Sequence, residues 1–143
     1  MFIGEYKHTI DSKKRLALPA KFRRELGKKV VITRGFESCL VIYTKSQWEK
    51  VMEELGNLPA GRKEARKFQR AVLGGATEVS LDKLGRILIP DYLKNYADLK
   101  KEVTICGLSN KLEIWNTNKW ESYRKKAEVD MDKVAENLPD LGI

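Results

Sequence analysis

The chain has one histidine, His8, two cysteines, Cys39 and Cys106, and no apolar run near the roughly 20 residues a bilayer crossing needs. With His8 alone, histidine-based metal sites and Ser-His-Asp arrangements would all have to be built around one residue. That residue sits beside Thr9 on an expected strand, where a packed or surface imidazole is the plainer reading. The two cysteines follow no metal-ligand spacing, and we expect reduced thiols in a cytoplasmic protein. The first residues, MFIGEYKHTI, lack a basic segment leading into an apolar one, so no signal peptide is expected. Gly74-Gly75 is too short for a phosphate-binding loop and lacks its Lys-Ser/Thr. Asp11 and Asp82 are each followed four residues on by an arginine, which favours salt-bridged turns over proton transfer. We therefore expect no enzyme, no cofactor and no metal.

What the chain does have is an internal echo. Ile10–Phe22 (IDSKKRLALPAKF) returns 71 residues later as Leu81–Leu93 (LDKLGRILIPDYL). Asp11 falls on Asp82, Arg15 on Arg86, Leu18 on Ile89 and Pro19 on Pro90. After one residue of slip, Gly35, Leu40, Ile42, Tyr43, Trp48 and Glu49 fall on Gly107, Leu112, Ile114, Trp115, Trp120 and Glu121. A period of half the chain means two copies of one small unit rather than a solenoid.

Each copy reads as strand, tight turn, strand, proline and short helix. Asp suits the start of such a turn because its carboxylate can accept from backbone N–H groups two residues on. Gly85 stands where a left-handed backbone is expected. Pro19 and Pro90 suit the first turn of a helix, and the helix of copy one should run over Ala20–Leu26 and stop at Gly27. Val30–Thr33 with Cys39–Tyr43, and Val103–Cys106 with Lys111–Trp115, are further strand pairs. Ser46-x-x-Glu49 and Asn118-x-x-Glu121 read as capping boxes opening longer helices. Trp48, Val51, Met52 and Leu55 form a helical packing stripe over Lys45–Leu55, and Arg62–Leu73 is a basic helix. The C-terminal helix should span Lys119–Leu138, with residues 140–143 frayed. Four short strands and a helix bury too little alone, so the copies should interleave into one closed barrel.

Charge is uneven. Met1–Gly75 holds 17 Lys and Arg against 8 Asp and Glu, a net +9, and the remainder nets −1. A positive half on a β scaffold fits a phosphate-backbone reader, although many proteins carry solvated basic faces.

The doubled Asp-x-x-x-Arg hairpin, the proline after the second strand and the G…L-x-I-[YW]…W-E tail together resemble the MraZ family over about Met1 to Leu138. That resemblance implies an α+β fold: two tandem AbrB-like swapped-hairpin units forming one pseudo-symmetric β-barrel with flanking helices. The units would be residues 1–56 and 76–143, joined by a basic connecting helix in 57–75. It also implies a sequence-specific, DNA-binding transcriptional regulator of the bacterial division and cell-wall gene cluster, cytoplasmic and nucleoid-associated. The partners would be double-stranded DNA at repeated short promoter sites and the chain itself, in a ring-shaped homo-oligomer without a membrane. One departure is that the family usually has glycine before the arginine in both loops, and the first loop here has Lys14. Either Lys14 takes a positive φ or the first hairpin uses another turn type.

On this reading Arg15 and Arg86 anchor the hairpins, with Arg15 the expected base reader. Lys13, Lys14 and Lys83 lie at the tips, while Lys7, Lys21, Arg23 and Arg24 supply backbone contacts. Asp11, Asp82 and Gly85 shape the turns. Two alternatives stay open: an antitoxin-like module that binds both DNA and protein, and a structural scaffold oligomer with an incidental positive face.

Overall fold

The structure is a computed structural model that describes residues 1–139 and 142. The fraying expected of residues 140–143 falls mostly on positions outside that set.

Among the described residues, eight strands and four helices follow the same order twice, with a fifth helix between the two sets. Copy one contains β1 (Phe2–Thr9), β2 (Arg15–Ala17), α1 (Arg23–Leu26), β3 (Lys29–Arg34), β4 (Leu40–Thr44) and α2 (Lys45–Gly56). After α3 (Lys63–Val72) come β5 (Thr77–Ser80), β6 (Arg86–Leu88), α4 (Asp91–Tyr96), β7 (Glu102–Ser109), β8 (Lys111–Asn116) and α5 (Thr117–Glu136). A 3-10 turn at Ala20–Phe22 leads into α1, and Gly27 ends that helix with φ 78°.

The capping boxes are displaced. Thr44 caps α2 by accepting from Gln47 N–H (3.2 Å), and Asn116 caps α5 by accepting from Lys119 N–H (3.1 Å). In both copies the capping residue ends the preceding strand, two positions before Ser46 and Asn118. A side chain there meets the first free N–H groups as the backbone turns from strand to helix.

The main sheet has six antiparallel strands in the order β1-β7-β8-β4-β3-β5. Exchange each strand for its counterpart in the other copy and the order reads the same backwards. Only β3–β4 and β7–β8 pair within a copy; β1–β7, β5–β3 and β4–β8 join the copies. A separate ribbon pairs β2 with β6. The expected barrel is corrected here, because this sheet is open, with β1 and β5 as its edges. The chain leaves those edges at the two hairpins, and the three-residue strands that follow pair with each other instead of bridging them.

One sheet face packs against the ribbon, α1 and α4. Leu16 with Ile87, Leu18 with Ile89 and Phe22 with Leu93 meet Ile32, Ile42, Ile105 and Ile114 there, all buried. Most are repeat counterparts, so the two copies build one core between them. The other face carries a smaller cluster of Cys39, Val41, Cys106 and Trp115. It lies under α2, α3 and α5, with Trp48 against Tyr43, Trp120 against Trp115, and Phe68 stacked on Phe36.

Candidate nucleic-acid interface

The two hairpin loops are built atom for atom alike. In the first, Asp11 Oδ1 accepts from Lys13 N–H and Arg15 N–H, both at 2.9 Å, and Oδ2 accepts from Arg15 Nε–H at 2.8 Å. In the second, Asp82 Oδ1 accepts from Leu84 N–H and Arg86 N–H at 2.9 Å, and Oδ2 from Arg86 Nε–H at 2.8 Å. The backbone N–H of each arginine, followed by the guanidinium itself, holds both carboxyls below their ordinary range. Each aspartate therefore remains a carboxylate and fixes its loop.

Lys14 takes φ 63° against 73° for Gly85, so the first hairpin keeps the turn of the second despite the missing glycine. Each loop is also clamped by the other copy. Leu18 N–H donates to Gly85 O, and Ile89 N–H donates to Lys14 O, both at 3.0 Å.

The ribbon then sets the arginines in register. Arg15 pairs with Leu88, Leu16 with Ile87 and Ala17 with Arg86. Side chains alternate along a strand, so the buried Leu16 and Ile87 face the core and Arg15, Ala17, Arg86 and Leu88 share the outward face. Two residues along and one strand across puts the arginine Cα atoms about 8 Å apart. Each guanidinium gives Nε–H to its aspartate, and among the described residues its Nη groups bond to nothing. The edge that a bidentate acceptor would need is open on both.

The other candidate cations divide. Lys13 and Lys83 are exposed at the tips without an ion-pair partner among the described residues. Lys14 instead reaches Asp91 of α4 at 2.6 Å. Arg23 donates from Nε to Leu18 O at 3.0 Å and lies over Gly85, where a Cβ would collide with it. Lys21 lies over the Tyr6 and Phe22 rings at 5.0 and 5.6 Å. Arg24 is exposed on α1. Lys7 lies away from the ribbon, on the β1 face where Glu5 accepts from Trp120 Nε1 of α5. Sequence reasoning missed Asp91 and Leu88. Their places depend on the β2–β6 register, which no local pattern announces. Among the described residues no group of three His, Cys, Asp or Glu side chains gathers to hold a metal ion, and no helix is long and apolar enough to cross a membrane.

A family model described as "MraZ protein, putative antitoxin-like" matches residues 1–71 and again 72–141. The chain belongs to the MraZ family. It is 49% identical over all 143 residues to the "Transcriptional regulator MraZ" of Halothermothrix orenii, covering the whole of both chains. It is 46% identical, again over the full length of both, to the protein of that name from Caldanaerobacter subterraneus subsp. tengcongensis. The one from Clostridium tetani is 45% identical with full coverage of both. The doubled MraZ match coincides with the doubled hairpin that shapes the outward face of the ribbon.

Proposed function

We propose that this chain is a transcriptional regulator that binds double-stranded DNA sequence-specifically through the outward face of its β2–β6 ribbon. Membership of the MraZ family and the printed names of its relatives support regulation of transcription. The observation that carries the DNA reading is the pair of guanidiniums on one face, each aimed by its aspartate and each with a free Nη edge. A two-stranded ribbon fits the major groove, where bidentate arginine to guanine O6 and N7 is the commonest specific contact. A spacing of about 8 Å corresponds to two or three base-pair steps of 3.4 Å. On this reading Arg15 and Arg86 read bases, while Lys13, Lys83, Lys21 and Arg24 meet phosphates.

Several copies in a ring would combine weak ribbon contacts over repeated short sites by avidity. The resemblance to the family points to the promoter of the division and cell-wall gene cluster, and so to a cytoplasmic, nucleoid-associated protein. The antitoxin-like reading is less favoured, because such a module would wrap its partner with a disordered acidic tail, and α5 is helical.

Binding to duplexes selected from a random pool tests this. Arg15→Ala and Arg86→Ala should each weaken the selected site about 5- to 160-fold, the 1–3 kcal/mol of a bidentate base contact. The assembled mass should not change. Parent-like affinity in both variants overturns the base-reading assignment, equal affinity for all duplexes in the parent overturns sequence specificity, and no binding to any duplex overturns the DNA reading.

A further inference from the structure

On the sheet face opposite the ribbon, α2 and α3 leave an apolar groove of about 660 Å³. Val41, Val51, Leu55, Phe68 and Val72 line it, and Phe36 stands 70% exposed at its mouth. Lys50, Lys111, Glu54 and Glu113 also border it, and Glu113 accepts from Trp115 Nε1. Beyond one wall, α3 carries Arg62, Lys63, Arg66, Lys67 and Arg70 against Glu64 alone. Among the described residues none of those five cations has an ion-pair partner.

A surface of the opposite character lies at the far end of the same chain. The first turns of α5 pack on the sheet through Trp120 and Tyr123, but every residue from Lys125 to Glu136 is exposed. Ala127, Met131, Val134 and Leu138 recur at helical spacing on one side, the last three 65%, 53% and 50% exposed. Lys125 and Lys126 flank Ala127, and Glu128 is held by Arg124 at 2.5 Å, but from there on Asp130, Asp132 and Glu136 stand around Met131, Val134 and Leu138 against Lys133 alone. The groove asks for an apolar helix face with acidic flanks, and the tail of α5 is one.

We infer that the end of α5 from one copy docks in the α2–α3 groove of the next, its acids facing the α3 cations. The inference rests on the self-assembly proposed above and supplies its interface. Tail and groove are different surfaces, so the contact is head-to-tail, the kind that closes into a ring when the rotation per copy allows. A nucleic acid would satisfy the α3 cations but leave Phe36 and the apolar floor without a partner. A duplex on the ribbon would also lie across the sheet from α3.

Light scattering of the full chain without DNA tests the proposal. The parent should be an assembly of several chains. Met131→Asp with Val134→Asp, both exposed in the single chain, should reduce it to monomer mass with an unchanged circular dichroism spectrum. Lys63→Glu with Lys67→Glu and Arg70→Glu should do the same. Adding Asp130→Lys, Asp132→Lys and Glu136→Lys to that triple variant should restore assembly. Parent-like mass in both disrupting variants overturns the docking while leaving a ring built through another surface. Unchanged mass together with weaker binding to every duplex assigns α3 to nucleic acid instead. A monomeric parent removes both the docking and the ring, and leaves the ribbon's DNA reading to its own test.

Discussion

Lys14 and Gly85 occupy the same corner of the two hairpins with nearly the same backbone, φ 63° and 73°, yet their surroundings are not interchangeable. At Gly85 the space for a side chain is filled by Arg23. At Lys14 that space is open, and the side chain leaves the loop to meet Asp91. An L-residue in the left-handed region carries a cost of about 1–2 kcal/mol. The exposed ion pair offsets little of it. Lys14→Gly should therefore stabilise the fold by about 0.5–1 kcal/mol. Gly85→Ala should destabilise it by more than 1 kcal/mol, since strain and collision with Arg23 add. Thermal unfolding of both variants checks the asymmetry.

Acid should loosen the loops. Asp11 and Asp82 titrate below the ordinary value of 3.8, first because the backbone N–H of Arg15 or Arg86 donates to them, then because of the guanidiniums. A depressed carboxyl stabilises the folded state above its unfolded pKa, and that contribution disappears as pH falls through the lower folded value. Asp11→Asn with Asp82→Asn keeps the shape but has nothing to titrate. Between pH 7 and pH 2.5 the parent should lose more melting temperature than the double variant does.

Arginine and lysine should differ at the ribbon. Arg15→Lys retains the charge but cannot give Nε–H to Asp11 and still offer a two-pronged edge. Affinity for random duplex should stay within about twofold, while preference for the selected site falls at least tenfold. Titration of both duplexes at one salt concentration separates the two effects, because non-specific binding follows phosphate neutralisation alone.

The thiols should be unreactive in the folded protein. Burial pushes Cys106 up to about 12, with help from Glu5 and Glu113, and raises Cys39 as well. At pH 8 a thiol of that pKa is ionised about once in ten thousand molecules. Iodoacetamide should label neither cysteine appreciably until denaturant is added, and both quickly thereafter.

Much of this arrangement was legible in the sequence because it is local. Asp and Arg four positions apart describe a turn whose carboxylate bonds lie within the loop, and Pro19, Pro90 and Gly27 mark helix limits by their own backbone restrictions. The capping residues were misjudged by two positions in both copies. Serine and asparagine match a capping pattern wherever they stand, and only the strand end decides which side chain meets the free N–H groups. Partner choice was the least legible. Nothing in Arg15-Leu16-Ala17 says that its ladder lies with Arg86-Ile87-Leu88, so the shared face of the two arginines and the Lys14–Asp91 pair came only from the register.

The crossing of strands between the halves has a consequence for the chain's connectivity. With β1 held by β7 and β5 held by β3, the peptide linkage near Gly74 supplies proximity rather than any ladder of its own. Severed there, the two fragments would each be an unfinished sheet with unpaired edges. They would complete one another on mixing, as the monomers of an obligate dimer do, and the intact polypeptide amounts to such a dimer written on a single strand of message.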